Sequence, residues 1–184
     1  DSNKIKRYPT PAMSAITGYP VMADRTIREE EYYWIWQGRT GLSLYHPASE
    51  QISFASDFPN DTGKYHIIKC IEKCRTQPGI WAASGNACVV HLQHESMKMK
   101  CIQEIRIPDA CQVRVLHEDD QGNLWIGTEN AIYQYSISDG NMRRIHKDTG
   151  AINGIAISPD KAIYYITETP EFSCLPPDGQ VHSC

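Results

Sequence analysis

Long hydrophobic runs are missing from this sequence. No apolar stretch approaches the roughly 20 residues that a membrane-spanning helix requires. Positive charge is not in excess either: 18 Lys and Arg face 22 Asp and Glu, for a formal net charge of −4. That balance leaves no electrostatic footprint for nucleic acid or for an anionic membrane surface. There is no Gly-rich phosphate loop, no nucleophile elbow and no His-Glu-x-x-His pair, so the sequence markers of nucleotide, serine-hydrolase and zinc-protease chemistry are all lacking. No targeting segment is visible, but the chain opens on Asp1 rather than Met. It is therefore expected to be processed or part of a longer protein, and the missing signal says nothing about location.

A disulfide framework is also absent. The seven cysteines, Cys70, Cys74, Cys88, Cys101, Cys111, Cys174 and Cys184, are odd in number, so they cannot all pair within one chain. When the internal repeats described below are aligned, Cys88 falls in the column of Leu42 and Ile132, and Cys70 in that of Val115. Those are core columns, so small buried thiols are expected. Cys174 and Cys184 are the pair to examine for a bridge. What the chain does have suits a folded globule: 41% hydrophobic and 22% charged residues, within the size of a single domain.

Repetition is its most informative property. Leu124-Trp125-Ile126-Gly127-Thr128 follows the turn Asp119-Asp120-Gln121-Gly122-Asn123. Related segments stand at Tyr33-Trp34-Ile35-Trp36, Ile80-Trp81-Ala82-Ala83-Ser84 and Ile163-Tyr164-Tyr165-Ile166-Thr167. Each precedes a second short apolar segment: Leu42–Tyr45, Cys88–His91, Ala131–Tyr135 and Phe172–Leu175. A period of about 40–45 residues built from short strands is the mark of a β-propeller, with one blade per repeat.

The expected fold is therefore all-β, with four blades of four antiparallel strands. Blade one spans 10–60 (strands Ile16–Ala23, Tyr32–Gln37, Leu42–His46 and Gln51–Ala55). Blade two spans 61–108 (Tyr65–Glu72, Ile80–Ser84, Ala87–Leu92 and Lys98–Gln103). Blade three spans 109–148 (Val113–Leu116, Leu124–Thr128, Ala131–Ile137 and Met142–His146). Blade four spans 149–184 (Ile152–Ser158, Ile163–Thr167, Phe172–Leu175 and Gln180–Cys184). Residues 1–9 contain Asn3–Tyr8, which reads as the outer strand of a neighbouring blade. This surplus strand points to a longer ring, completed by further blades or by a second copy of the chain. Gly127 has no side chain where a neighbouring sheet, or the Trp125 ring, must come close. Trp34 and Trp36 read as packing between blades rather than as a sugar platform.

The run Val115-Leu116-His117-Glu118-Asp119-Asp120-Gln121-Gly122-Asn123-Leu124-Trp125-Ile126-Gly127-Thr128, with Ala131–Tyr135 after it, resembles the two-component regulator propeller repeat. Gly38–Pro47 is similar to the second half of that repeat, and blade two matches it more loosely. The resemblance implies an extracytoplasmic sensor domain, periplasmic or extracellular, that passes ligand binding to a kinase outside this chain. A second stretch, Ile152–Asp160 with Ile163–Thr167, is similar to the gluconolactonase and senescence-marker lactonases. That resemblance implies Asn153 as a divalent-metal ligand, with Glu168 as the only other oxygen side chain nearby. Thr17-Gly18-Tyr19-Pro20-Val21 stands where the lactonase motif has a glutamate, and so few ligands cannot hold a hard cation.

Several clusters invite chemistry and have plainer readings. His91 and His94, three apart on a strand, point to opposite faces. Glu118-Asp119-Asp120 reads as a solvated acidic turn. In a propeller the loops joining second and third strands lie with the blade crossovers around the central channel. Those loops offer Arg39, Asn86, Glu129 and Asn130, side chains capable of the directional hydrogen bonds that a sugar demands. The sequence thus leads to a non-catalytic ligand-sensing propeller with an oligosaccharide ligand, no cofactor, no resident metal, no nucleic-acid partner and no direct membrane insertion. A metal-dependent lactonase and a protein-interaction propeller are the alternatives.

Overall fold

The computed structural model describes residues 25–37, 41–54, 68–84, 87–109, 112–147, 150–169, 172–176 and 182–183. It is built from four sheets of four strands, each an antiparallel meander in sequence order. Blade one holds β1 (Arg25–Glu29), β2 (Tyr32–Gln37), β3 (Gly41–His46) and β4 (Gln51–Phe54). Blade two holds β5 (Ile68–Lys73), β6 (Ile80–Ser84), β7 (Cys88–Glu95) and β8 (Lys98–Arg106). Blade three holds β9 (Val113–Glu118), β10 (Asn123–Thr128), β11 (Ala131–Ser136) and β12 (Met142–Lys147). Blade four holds β13 (Gly154–Ile157), β14 (Ile163–Ile166), β15 (Phe172–Leu175) and β16 (His182–Ser183). The expected propeller of four four-stranded blades is what forms. Among the described residues no helix appears.

Most strand boundaries agree with the sequence reading to within a few residues. The first strand of blade one does not. It is Arg25–Glu29, whereas the apolar run Ile16–Ala23 suggested an earlier start. That run, like Asn3–Tyr8, lies outside the described residues. Arg25-Thr26-Ile27-Arg28-Glu29 is too polar to announce itself. Only Ile27 is buried, and the strand is recruited by its pairing with β2, Ile27 opposite Trp34.

Alternation along the strands builds the interfaces. Side chains two apart share a face, and sheets stacked on both sides bury both faces. On β6, Ile80 and Ala82 join a cluster with Ile27, Trp34, Leu42 and Leu44 of blade one. Trp81 and Ala83 join one with Leu116, Leu124 and Ile126 of blade three. On β10, Trp125 turns the other way and packs with Ile152, Ile163 and Tyr165 of blade four. Trp34 is fully buried against blade two, and Trp36 donates its indole N–H to the Ile68 carbonyl at 3.0 Å. Both are packing residues, as their spacing implied.

Gly127 makes the closest approach. A Cβ there would sit 2.6 Å from Val115 Cγ1 and 2.8 Å from Ile152 Cγ2. The neighbour that needs the space is the innermost segment of blade four together with β9, not the Trp125 ring. Gly79 is required for a different reason. Its φ is +102°, and a Cβ would fall 2.0 Å from the Leu92 carbonyl oxygen.

The column Trp34, Trp81, Trp125 always faces the next blade, yet its indole N–H groups find acceptors in two ways. Trp34 bonds Glu29 at 2.6 Å and Trp125 bonds Asp119 at 2.8 Å, both just past the innermost strand of the same blade or at its end. In blade two the corresponding residue is Cys74, a poor acceptor. Trp81 instead crosses to Glu118 of blade three at 2.7 Å. Glu118 also accepts from Thr76 N at 2.9 Å and Thr76 Oγ1 at 2.7 Å. It is fully buried, so the acidic triplet 118–120 is not a uniformly solvated turn. A carboxylate buried without such donors would be strongly unfavourable.

Candidate ligand-binding site

In each meander the turns joining strands one to two and three to four lie at one end of the sheet, and the two-to-three loops at the other. A cleft of about 720 Å³ opens at the first of these ends, between blades three and four. The turn after β9 forms one wall and the turn after β13 the opposite one. Ile145, Ile157, Ile163 and Leu175 provide apolar surface, while His117, Gln134 and Arg143 reach it from β9, β11 and β12. A smaller hollow of about 260 Å³ adjoins it, sharing Asn123, Gln134 and Arg143.

The wall after β9 is set by one side chain. Asp119 Oδ1 accepts from the backbone N–H groups of Gln121 and Asn123, each at 2.9 Å. Its Oδ2 accepts from Asn123 Nδ2 at 3.0 Å and Trp125 Nε1 at 2.8 Å. Partial burial pushes the Asp119 pKa upward, but the bonds from Trp125, Asn123 and Gln121 outweigh it and hold the carboxyl below its ordinary range. The group stays ionised with its lone pairs occupied. Asp120 is exposed and pairs with Arg75 of blade two at 2.7 Å. Trp125 is only 7% exposed, so it is part of the wall and not a stacking platform.

His117 is tied into the innermost strands. Its Nδ1 lies 3.6 Å from Glu72 Oε1, and the other Glu72 oxygen meets Arg25 at 2.5 Å. Burial raises the Glu72 pKa, yet His117 and Arg25 together carry it below the usual value. A chain of polar contacts therefore runs from the cleft through blade two to blade one.

Of the sequence-predicted site residues, Glu129 and Asn130 lie at the opposite end. Arg39 and Asn86 are outside the described residues. Glu129 and Asn130 occupy the β10–β11 turn, organised by Thr128, whose Oγ1 accepts from Ala131 N at 3.0 Å. Glu129 and Glu168 are brought together by Arg114 of β9, at 3.9 and 3.6 Å respectively. None of Glu129, Asn130 or Glu168 lines the cleft. Arg114 was not singled out in the sequence, where an isolated Arg on a short strand carries no signal. Asn153 is exposed, its backbone N–H bonded to Ile166 O at 2.8 Å. Among the described residues no three His, Cys, Asp or Glu side chains converge as metal ligands do.

His91 and His94 do face opposite ways. His91 packs on Trp81 with ring centroids 5.0 Å apart, and His94 on Tyr32 of blade one at 4.0 Å. The cysteines are mixed. Burial pushes the thiol of Cys70 up to about 12 and that of Cys88 up to about 11, and raises Cys74 further still. Cys101, however, is exposed on the edge strand β8, against the expectation of burial. Cys88 sits one column from its expected place. It pairs with Ser84, and Val89 occupies the position opposite Ala83 that Ile132 holds opposite Gly127. Cys184, the suggested partner of Cys174, is outside the described residues.

Residues 107–130, which include the whole cleft wall after β9, match the family model "Two component regulator propeller". The match spans β9, β10 and the turn between them. Over the rest of the chain the likeness to solved structures is one of β-propeller fold. The extracellular domain of BT4673 from B. thetaiotaomicron, named as a hybrid two component system, superposes with a TM-score of 0.70 at 17% identity over 91% of this chain. This chain spans 22% of the length of that one. A chain of a nidogen/laminin complex aligns at a TM-score of 0.61 and 12% identity, covering 84% of this chain and 60% of its own. A chain of a mitotic checkpoint complex aligns at 0.62 and 12%, covering 99% and 59%. Such distant likenesses establish the propeller and nothing of its use. No curated protein sequence matches the chain.

Proposed function

We propose that this chain is part of the ligand-reading propeller of an extracytoplasmic two-component receptor, non-catalytic in itself, and that it binds an oligosaccharide in the cleft between blades three and four. The observation that carries this reading is the coincidence of cleft and repeat. The Asp119–Asn123 turn of the regulator-propeller repeat is the wall of the cleft. The name of the structurally similar extracellular domain supports a location outside the cytoplasm.

The lining suits a sugar, which presents hydroxyl groups and C–H faces together. Gln134 spends its amide oxygen on Arg143 Nε at 2.7 Å, and its NH2 group is left to donate. His117 offers a second ring nitrogen, and the isoleucines supply apolar contact. Binding here would bear on His117 and hence on Glu72 and Arg25, a route by which occupancy reaches three blades. The signal would then pass to parts of the receptor beyond these residues, further blades or a second copy of the chain.

The test is calorimetric titration of the full chain with a panel of neutral and acidic oligosaccharides, followed by footprinting of the bound complex. At least one panel member is expected to bind, to protect residues 117–123 and 157–163, and to weaken roughly fivefold or more in Gln134→Ala. Protection confined to the opposite end, around Arg114, Glu129 and Glu168, would remove the cleft from the argument. Failure of the whole panel would remove the oligosaccharide.

A further inference from the structure

Three cations from three blades meet at the cleft: Arg75 after β5, Arg143 on β12 and Lys161 after β13. Their surroundings differ. Arg75 is neutralised by Asp120. Arg143 engages the neutral Gln134 through Nε, and among the described residues neither Arg143 nor Lys161 has a carboxylate within ion-pair range. Of the acidic groups that face the cleft, Asp120 is paired with Arg75, and Asp119 is ionised with its lone pairs taken by five hydrogen bonds from neutral donors. Asp139, in the adjoining hollow, accepts from Asn141 N at 3.1 Å. Three cations thus line the cleft against two carboxylates, in a chain whose net charge is negative.

Lys161 is placed there against local preference. The turn after β13 repeats the one after β9: Gly122 N donates to Asp119 O, and Lys161 N donates to Ser158 O. Asp119 N and Ser158 N likewise bond Asn123 O and Ala162 O. The fourth position has φ +76° at Gly122 and +70° at Lys161. Glycine takes that conformation freely and a lysine rarely does. Five other non-glycine residues among those described share a positive φ, so the conformation alone identifies nothing. What distinguishes Lys161 is that its side chain lines the cleft where the sister turn has none.

We propose that the cleft between blades three and four recognises an anionic group carried on a sugar, a carboxylate or a sulfate, through Arg143 and Lys161. Guanidinium and ammonium groups in a partly enclosed site attract such oxyanions by charge-assisted hydrogen bonds. This inference rests on the oligosaccharide reading and deepens it.

Trigalacturonate, a sulfated carrageenan oligosaccharide and neutral galactotriose make a graded set of probes for the full chain. At least one acidic probe is expected to bind about tenfold or more tightly than galactotriose, with affinity falling as salt rises. Lys161→Gly should weaken that probe roughly five- to tenfold while leaving galactotriose unchanged, and Arg143→Gln, which also releases Gln134, should weaken the acidic probe more than it weakens galactotriose. Lys161→Gly should fold normally, since glycine is the residue of the sister turn. The tighter of the two acidic probes tells carboxylate from sulfate. Galactotriose binding as tightly as both, still sensitive to Gln134→Ala, would overturn the anion inference and leave the oligosaccharide reading standing. Unaltered acid binding in both variants would overturn it as well. Absence of binding by all three sugars would take the inference down together with its premise.

Discussion

The interface between blades two and three is sealed, and the one between blades three and four is notched, although the same aromatic column faces both. Trp81 and Trp125 occupy equivalent places, opposite His91 and Gln134 on the next strand. The difference lies in what the neighbouring strand offers. Where blade three ends β9 with Glu118, a buried carboxylate takes Trp81 and Thr76 and draws the blade-two turn across. Where blade four ends β13 with Ile157, the equivalent side chain has no acceptor to offer. Trp125 satisfies its N–H within its own blade, through Asp119. The space not drawn closed is the cleft. One residue at one strand end thus separates a closed interface from one with a cleft.

Removing the seal should have the largest effect. Glu118→Ala strips acceptors from Trp81 Nε1, Thr76 N and Thr76 Oγ1 at once. A loss of about 3 kcal/mol is expected in denaturant unfolding, because buried donors left unpaired are costly. A change of less than about 1 kcal/mol would mean that the two interfaces do not differ in the way described.

Gly127→Val tests the close approach at the notched interface. Its Cβ would lie 2.6 Å from Val115 and 2.8 Å from Ile152, so overpacking should cost about 1–3 kcal/mol. An unchanged melting temperature would mean that blade four stands off from β10.

Acidification should act through Glu72 and Asp119, which are both held below their ordinary values of 4.5 and 3.8. A carboxyl whose folded pKa is depressed contributes stability above its unfolded pKa and loses it as pH falls through the folded one. Stability should therefore be flat near neutrality and decline below the ordinary carboxylate range. Glu72→Gln should make that decline shallower. A profile identical to the parent would detach Glu72 from the contacts with Arg25 and His117.

The smallest effect is expected at Lys161. Lys161→Gly relieves a left-handed lysine but frees the unfolded chain, and these terms oppose one another within about 1 kcal/mol. A thermal melt showing a larger loss would give Lys161 a structural role in the turn and weaken its assignment to ligand.

Much of the fold was legible in the sequence. The strands with strong alternation or continuous apolar runs, such as Ile80–Ser84 and Phe172–Leu175, fell where the repeats put them. Arg25–Glu29 did not, because its pairing comes from β2 and not from its own composition. The site was less legible. Polar loop residues pointed to the end where Glu129 and Glu168 meet Arg114, and the cleft proposed as the binding site, at the other end, carries no local pattern. Arg75, Arg143 and Lys161 are about 70 and 20 residues apart in the chain, and no local pattern links them.

What the sequence determined by itself is therefore periodic: the four-stranded unit, the aromatic column and the glycine at 127, each a consequence of side chains repeating on a two-residue strand period within a repeat of about 40–45 residues. What only the tertiary structure decided is relational. Whether a tryptophan bonds its own blade or the next, whether Glu118 is solvated or buried, and which cations share a cleft all depend on two blades meeting. Such contacts join residues far apart in sequence, and their energy arises only when both partners leave water together.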